Sequence, residues 1–322
     1  MTTQVRALVI ATLLALPAAS FAQAVDIPAV VTLDFPEKTW TFASFTQQFE
    51  ADLNDAAGDV SRSGLMAALG HRFELSEDTY FATQFSYIGS YYDFSSGAGR
   101  GGGGAAYRWK DTHAASVFGL FGWKASESWT IVAGGLFKLA GETGADVGDS
   151  VTGGGLLGFD YQASDTLTVG VLLGVMSQIE DDTAILPVPT VDWRFADKWR
   201  LQFGLLGSLG HPGLGPELSF KPSDAFELGL GLAFQKRRFR LDDHVNNSAR
   251  GPNPNLDGVG EETGVPLYVR LRWAPQKTLF FDVFGGVTTG GRVRVENQNG
   301  NRINESGYDA APILGVRGQL LF

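Results

Sequence analysis

The residues able to carry polar chemistry are few and scattered. The chain has four histidines, His71, His113, His211 and His244, and no cysteine. Acyl chemistry needs a hydroxyl beside a base that a third group orients. Only His113 with Ser116, and His244 with Ser248 and Asp243, approach that spacing, and both sets read as loop or rim residues. Without cysteine there is no disulfide, thiolate metal site or thiol nucleophile. The run Gly97 to Gly104 (GAGRGGGG) is glycine-rich but lacks the lysine and helix of a phosphate loop. Glu180-Asp181-Asp182 lacks the Asp/Asn spacing of a calcium loop. No enzyme, cofactor or metal centre is expected. A formal charge of -10 argues against nucleic acid, which calls for clustered Lys and Arg.

The remaining charged residues fall into a pattern. Asp192, Arg194, Arg200, Glu217, Lys221, Glu227, Arg270 and Arg272 occupy the polar phase of extended segments whose other phase is apolar. In Phe226 to Phe234, for example, Phe226, Leu228, Leu230, Leu232 and Phe234 share one face, and Glu227 and Gln235 point the other way. Inside a closed barrel such charges would form either a solute-selecting constriction or a salt-bridged network that fills the lumen. Both readings stay open. Lys236-Arg237-Arg238-Phe239-Arg240 is a cationic cluster at the outer end of its strand. Contact with lipid phosphates is the favoured reading, over rim charge offset by Asp242 and Asp243. By contrast, Thr130, Val132, Gly134 and Leu136, with Thr168, Gly170, Leu172, Gly174 and Met176, predict an apolar half-wall. That wall would suit a narrow path, a greasy ligand or an inward-folded segment.

The elements that must position these residues are strands. Arg6 followed by Ala7 to Ala19 and small residues at Ser20-Phe21-Ala22 is a secretory signal, with cleavage after Ala22 or Ala24. Residues 1–22 are therefore read as a signal peptide, 23–39 as a periplasmic segment and 40–322 as the barrel. From Trp40 onward, segments of period-two alternation number about fourteen, with twelve the alternative, most reaching the ~9–11 residues of a tilted span. Short polar turns at Ser76–Asp78, Ser126–Ser128, Ser164–Thr166, Ala196–Lys198, Pro222–Asp224 and Pro275–Lys277 alternate with longer loops. The longer loops include Asn54 to Ser63, Ser95 to Ala106, Gly141 to Ser150, Asp242 to Glu262 and Glu296 to Ser306. Short turns belong to the periplasmic side and long loops to the outside.

Tryptophan placement points the same way. Trp40, Trp123, Trp129, Trp193, Trp199 and Trp273 all lie near a short turn or the first strand's start, which predicts one aromatic girdle at a membrane interface. Tyr91, Tyr92, Phe94 and Tyr107 are candidates for an outer girdle. The last stretch, Gly307 to Phe322, alternates and ends on an aromatic carboxy-terminus. It is similar to the closing strand of bacterial outer-membrane barrels, in which Phe322 would be the assembly signal.

Ile185 to Leu205 (ILPVPTVDWRFADKWRLQFGL) and Gly215 to Leu241 carry a further likeness. The LPVP strand entry, the ADKW turn and PELSFKPSDAFELGL resemble a Gram-negative outer-membrane barrel family known only as a domain of unknown function. The resemblance implies an outer-membrane barrel and brings no catalytic residues with it. The expected fold is thus all-β, a transmembrane antiparallel up-and-down barrel. The expected partners are outer-membrane lipid and lipopolysaccharide, the barrel-assembly machinery and a small solute. The expected function is a pore or transporter, with a closed structural or surface-interaction barrel as the alternative; oligomeric state is not legible.

Overall fold

Alternating side chains give strands, and in the computed structural model these strands close on themselves. The structure describes residues 39–55, 58–95, 109–206, 213–242 and 257–322. The first group is β1 (Thr39–Asp52), β2 (Asp59–Glu74), β3 (Thr79–Phe94), β4 (Asp111–Lys124) and β5 (Trp129–Glu142). The middle holds β6 (Val151–Ser164), β7 (Leu167–Gln178), β8 (Asp181–Ala196), β9 (Trp199–Leu206) and β10 (Gly213–Ser223). The last group is β11 (Phe226–Leu232), β12 (Gln235–Arg240), β13 (Val259–Gln276), β14 (Leu279–Glu296), β15 (Arg302–Tyr308) and β16 (Ala311–Leu321). Because β11 with β12, and β15 with β16, are halves of interrupted staves, these segments make a closed antiparallel barrel of 14 strands. Closure is by β1 against β16, from Trp40↔Leu321 to Gln48↔Ile313. The terminal residue joins it, since Thr39 and Phe322 exchange backbone N–H···O bonds of 2.8 and 2.9 Å. The circuit of paired strands is thereby complete, which is what a bilayer demands of a sheet.

Three expected loops are shorter than the sequence indicates. β2 begins at Asp59, β13 at Val259, and β15 forms inside the stretch read as a loop from Glu296 to Ser306. These outer extensions are rich in charge, so they lack the apolar alternation that marks a strand. The leader and the segment up to residue 38, the glycine-rich stretch 97–104 and Tyr107 lie outside the described residues.

The outer surface carries the apolar phase. Leu65, Leu69, Phe85, Leu157, Leu230, Val269, Leu314 and Val316 are all exposed. Trp123, Trp129, Trp199 and Trp273 are exposed near the short turns, and Trp193 packs on Phe195 at 5.4 Å between ring centres. A closed barrel with an apolar waist and an aromatic belt is the architecture of a bacterial outer-membrane protein. Trp40 is a correction to the predicted girdle. Its indole is buried inside the barrel and donates Nε1–H to Gln84 Oε1 at 3.1 Å. Tyr92 likewise points inward and is buried.

Glycine explains how so many rings fit inside. Trp40 lies directly across from Gly70, Tyr80 from Gly122, Tyr268 from Gly231, Tyr308 from Gly291 and Phe284 from Gly315. In each pair a Cβ on the glycine would collide with the facing ring. The ring lies flat over its neighbour's bare backbone, and the lumen fills with aromatic surface without distorting the wall.

Candidate functional site in the barrel interior

Fourteen strands could enclose either packed side chains or a channel, and inward positions decide between them. Phe42, Met66, Ala68, Gln84, Ser86, Phe118, Leu120, Val132 and Leu172 face inward and are buried. One continuous apolar cluster joins Trp40, Tyr80, Phe118, Leu120, Val132, Leu172, Met176, Leu186, Val188 and Leu214. The predicted apolar half-wall is therefore real, and it belongs to a packed interior.

Facing it across the lower lumen is a knot of ion pairs. Arg270 Nη2 stands 2.5 Å from Glu217 Oε1 and 2.6 Å from Glu227 Oε1, and its Nη1 is 3.3 Å from Asp282. Arg272 grips both Asp282 oxygens, at 2.8 and 3.0 Å. Tyr268 donates its hydroxyl to Glu217 at 2.7 Å. Arg317, its guanidinium 4.3 Å from the Phe42 ring centre, makes the set formally neutral: Arg270, Arg272 and Arg317 against Glu217, Glu227 and Asp282. Arg270, Glu217 and Asp282 are all at most 4 % exposed. Charges so buried hold strands together and do not border a water-filled constriction.

The other predicted lumen charges do not join this knot. Arg200 forms a two-pronged pair with Asp192 within the neighbouring β8–β9 hairpin, with Nε 2.7 Å from Oδ1. Arg194 is exposed. Lys221 reaches the rim, where its contact with the exposed Asp224, 3.0 Å away, holds that carboxylate below its usual range. Asp282, a central member of the knot, escaped the sequence reading. It occupies the inward phase of LFFDVFGG, and counting that phase from Phe280 would have found it.

The basic run at the outer end is the largest correction. Lys236, Arg237, Arg238 and Arg240 do not meet lipid phosphates; each is paired within the protein. Lys236 and Arg238 bind Glu261 at 3.1 and 2.9 Å, and Arg238 also binds Glu296 at 2.5 Å. Arg237 and Arg62 flank Glu262 at 2.9 and 3.5 Å, and Tyr92 and Tyr308 donate to the same carboxylate at 2.7 and 3.0 Å. Arg240 binds Glu180 at 2.6 Å. The register makes this possible, since Arg237↔Glu262 and Arg238↔Glu261 are direct cross-strand partners.

β12 is not an ordinary wall strand. Gln235, Arg237, Arg238, Phe239 and Arg240 are all buried, so both faces are covered. The strand stays laddered to β13 along its whole length, and its far end also reaches β5, where Arg240 bridges Gly141 in parallel. Arg238 Nε donates to the Ile179 carbonyl at 2.8 Å, which ties the β7–β8 turn to its back. Below it Phe239 packs with Tyr92, Trp109, Val293 and Tyr308. Together these residues roof the lumen.

A cavity of about 550 Å³ opens at the end bearing the short turns. Arg72, Tyr80, Lys124, Asp160, Leu167, Asp192, Arg194 and Arg200 line it, with Phe203 and Leu205 farther along β9 from the short turns. The predicted His113–Ser116 pair is split by the pleat. His113 bonds Tyr87 at 2.7 Å and Thr143 at 3.1 Å, and Ser116 bonds Ser86 at 2.6 Å. His244, Ser248 and Asp243 lie outside the described residues.

No protein-family model matches the chain, and no curated protein does. Among solved structures, a Pseudomonas aeruginosa FadL homologue overlaps 92% of this chain and 95% of its own, at 9% identity and a TM-score of 0.48. The Pseudomonas putida toluene transporter TodX overlaps 94% of each chain at 11% identity and 0.39. The KdgM porin overlaps 87% of this chain and 99% of its own at 10% identity and 0.32. The sequence resemblance above implied an outer-membrane barrel, and that is the architecture observed. At these identities, what the interior does must be argued from its own residues.

Proposed function

We propose that this barrel is an outer-membrane transporter for a small solute, shut in the state described and passing cargo only after a local rearrangement. The packed interior supports the reading: an apolar cluster and two ion-pair knots occupy the lumen, and a cavity opens at the end bearing the short turns. An unselective porin would keep a polar, hydrated lumen. A purely structural barrel would have no use for a cavity of about 550 Å³ with paired charges and apolar side chains in its lining.

Two measurements test this. In planar bilayers the refolded protein carries no steady current, with folding verified by heat-modifiable gel mobility. A steady conductance whose ion selectivity changes in Arg270→Ala/Arg272→Ala would instead establish a standing pore. Saturable binding of small solutes to the refolded barrel, weakened by Phe203→Asp, supports the transporter. Absence of binding across charged, polar and apolar probe sets would leave the structural barrel.

A further inference from the structure

The inward phase of β1 turns polar halfway up the wall. Trp40 and Phe42 are followed in that phase by Ser44, Thr46 and Gln48, all buried. Within the protein, Ser44 Oγ and Gln48 Nε2 have no hydrogen-bond partner. Thr46 between them faces glycine on both sides, Gly64 of β2 and Gly315 of β16. A buried polar atom left unmet costs free energy, and in folded proteins nearly all such atoms find a partner. Two of them on one strand, in one phase, mark a place that receives a guest.

The glycines give that place its shape. A Cβ added at Gly64 would meet Arg62 Nη1 and Thr46 only at 3.8 to 4.0 Å, ordinary contact distances, so room for a methyl group stands open there. At Gly315 the same space holds the buried Phe284 ring, which closes the groove on the β14 side. Upward, Gln48 lies directly across from Arg62, the partner of Glu262. Downward, Ser44 lies across from Arg317, whose guanidinium stacks on Phe42. The groove thus runs between the two ion-pair knots, and Phe42 and Trp40 shut it below.

Its middle stations carry no charge: two hydroxyls and a carboxamide. An apolar guest would leave Ser44 and Gln48 as unmet as before. An ion would trade its water shell for uncharged groups too few to replace it. A neutral molecule bearing hydroxyl or amide groups can pass its hydrogen bonds from Gln48 to Thr46 to Ser44. Resting on the transporter reading, we infer that the β1 groove is the binding track for the solute, and that it takes small uncharged molecules rich in hydroxyl or amide groups. Such cargo carries no current, so passage and an electrically silent bilayer go together. Phe284 and the Phe42–Arg317 stack are the side chains that must move for it to pass.

The chain has no native cysteine, which gives a clean test. Ser44→Cys, Thr46→Cys and Gln48→Cys are refolded in liposomes, with heat-modifiable gel mobility as the check on folding. Each is exposed to iodoacetamide, a small neutral amide, and to iodoacetate, its anionic counterpart, with rates normalised to those of glutathione. Leu120→Cys, buried in the apolar cluster, is the reference. The track predicts that iodoacetamide reaches the β1 cysteines about tenfold faster than it reaches Leu120→Cys, and about tenfold faster than iodoacetate does, because only the neutral reagent regains along the groove the hydrogen bonds it leaves in water. In stopped-flow light scattering, glycerol and urea enter liposomes holding the unmodified barrel faster than empty ones, and Gly64→Val, which fills the groove, slows their entry. Rates no faster than at Leu120→Cys, the mark of a groove that admits water alone, overturn the track, as does equal reaction with iodoacetate. Solute entry that Gly64→Val leaves unchanged places the path elsewhere, so the track fails while the transporter stands. Neutral-selective labelling without any solute entry keeps the groove as a binding site and overturns the transporter reading.

Discussion

Removing Arg270 separates a strut from a selectivity filter. Its guanidinium serves Glu217, Glu227 and Asp282 at once. In Arg270→Ala the three carboxylates fare differently. Asp282 keeps its two-pronged bond to Arg272. The Glu227 side chain is 24% exposed and can recruit water. Glu217, whose side chain is 5% exposed, keeps only the Tyr268 hydroxyl and becomes a buried carboxylate without a cation. Breaking a buried pair by removing one partner costs 3–5 kcal/mol, and with one carboxylate stranded the lower end, about 3 kcal/mol, is expected. Glu217→Gln in the same chain removes the stranded charge while leaving Tyr268 an acceptor, and should recover about 1–2 kcal/mol. The assay is urea titration in liposomes, followed by heat-modifiable gel mobility and tryptophan fluorescence. A loss below about 1 kcal/mol, or no recovery in the double variant, would refute the strut.

Other outcomes follow from the same packing. Gly70→Ala drives a methyl into the Trp40 ring and should cost about 1–3 kcal/mol, with a shift in the tryptophan emission of the folded barrel. Leu120→Ala opens a hole in the apolar cluster, and should cost about 2–5 kcal/mol by the same titration. Glu261→Ala strands Lys236 in the roof and leaves Arg238 to Glu296; it should raise basal conductance in planar bilayers, which Glu261→Gln, keeping the acceptor, should raise less. Deleting Phe322 removes the bonded pair with Thr39, and should slow assembly measured as the rate at which the heat-modifiable band appears.

The wall was legible in the sequence because its outer phase has a single requirement, contact with lipid, and every strand repeats it. The interior was less legible, since inward residues answer to partners that only register reveals. Lys236 to Arg240 looked like a lipid-binding patch because Glu261 and Glu262 seemed to end a loop. Once β13 begins at Val259, those glutamates become cross-strand neighbours of Arg238 and Arg237. Trp40 shared the girdle tryptophans' place in the chain but occupies the opposite phase of the pleat, and position near a turn cannot distinguish the two.

The reach of β12 to β5 also bears on how the molecule comes to be built. Arg240 meets Gly141 only after the intervening chain, β6 to β11, has been threaded out and back through the wall. Each hairpin of that excursion closes a short loop, whereas the Arg240–Gly141 contact closes a long one, and long loops must pay their ordering entropy before any contact rewards them. The Arg240–Gly141 contact therefore forms after the hairpins it spans. Until then, β12 has only its β13 partner, with Glu261 and Glu262 beside Arg238 and Arg237, and lacks the contact to β5. The pair of Arg240 with Glu180 then fastens β12 to the β7–β8 turn, so the roof is latched to the staves it spans.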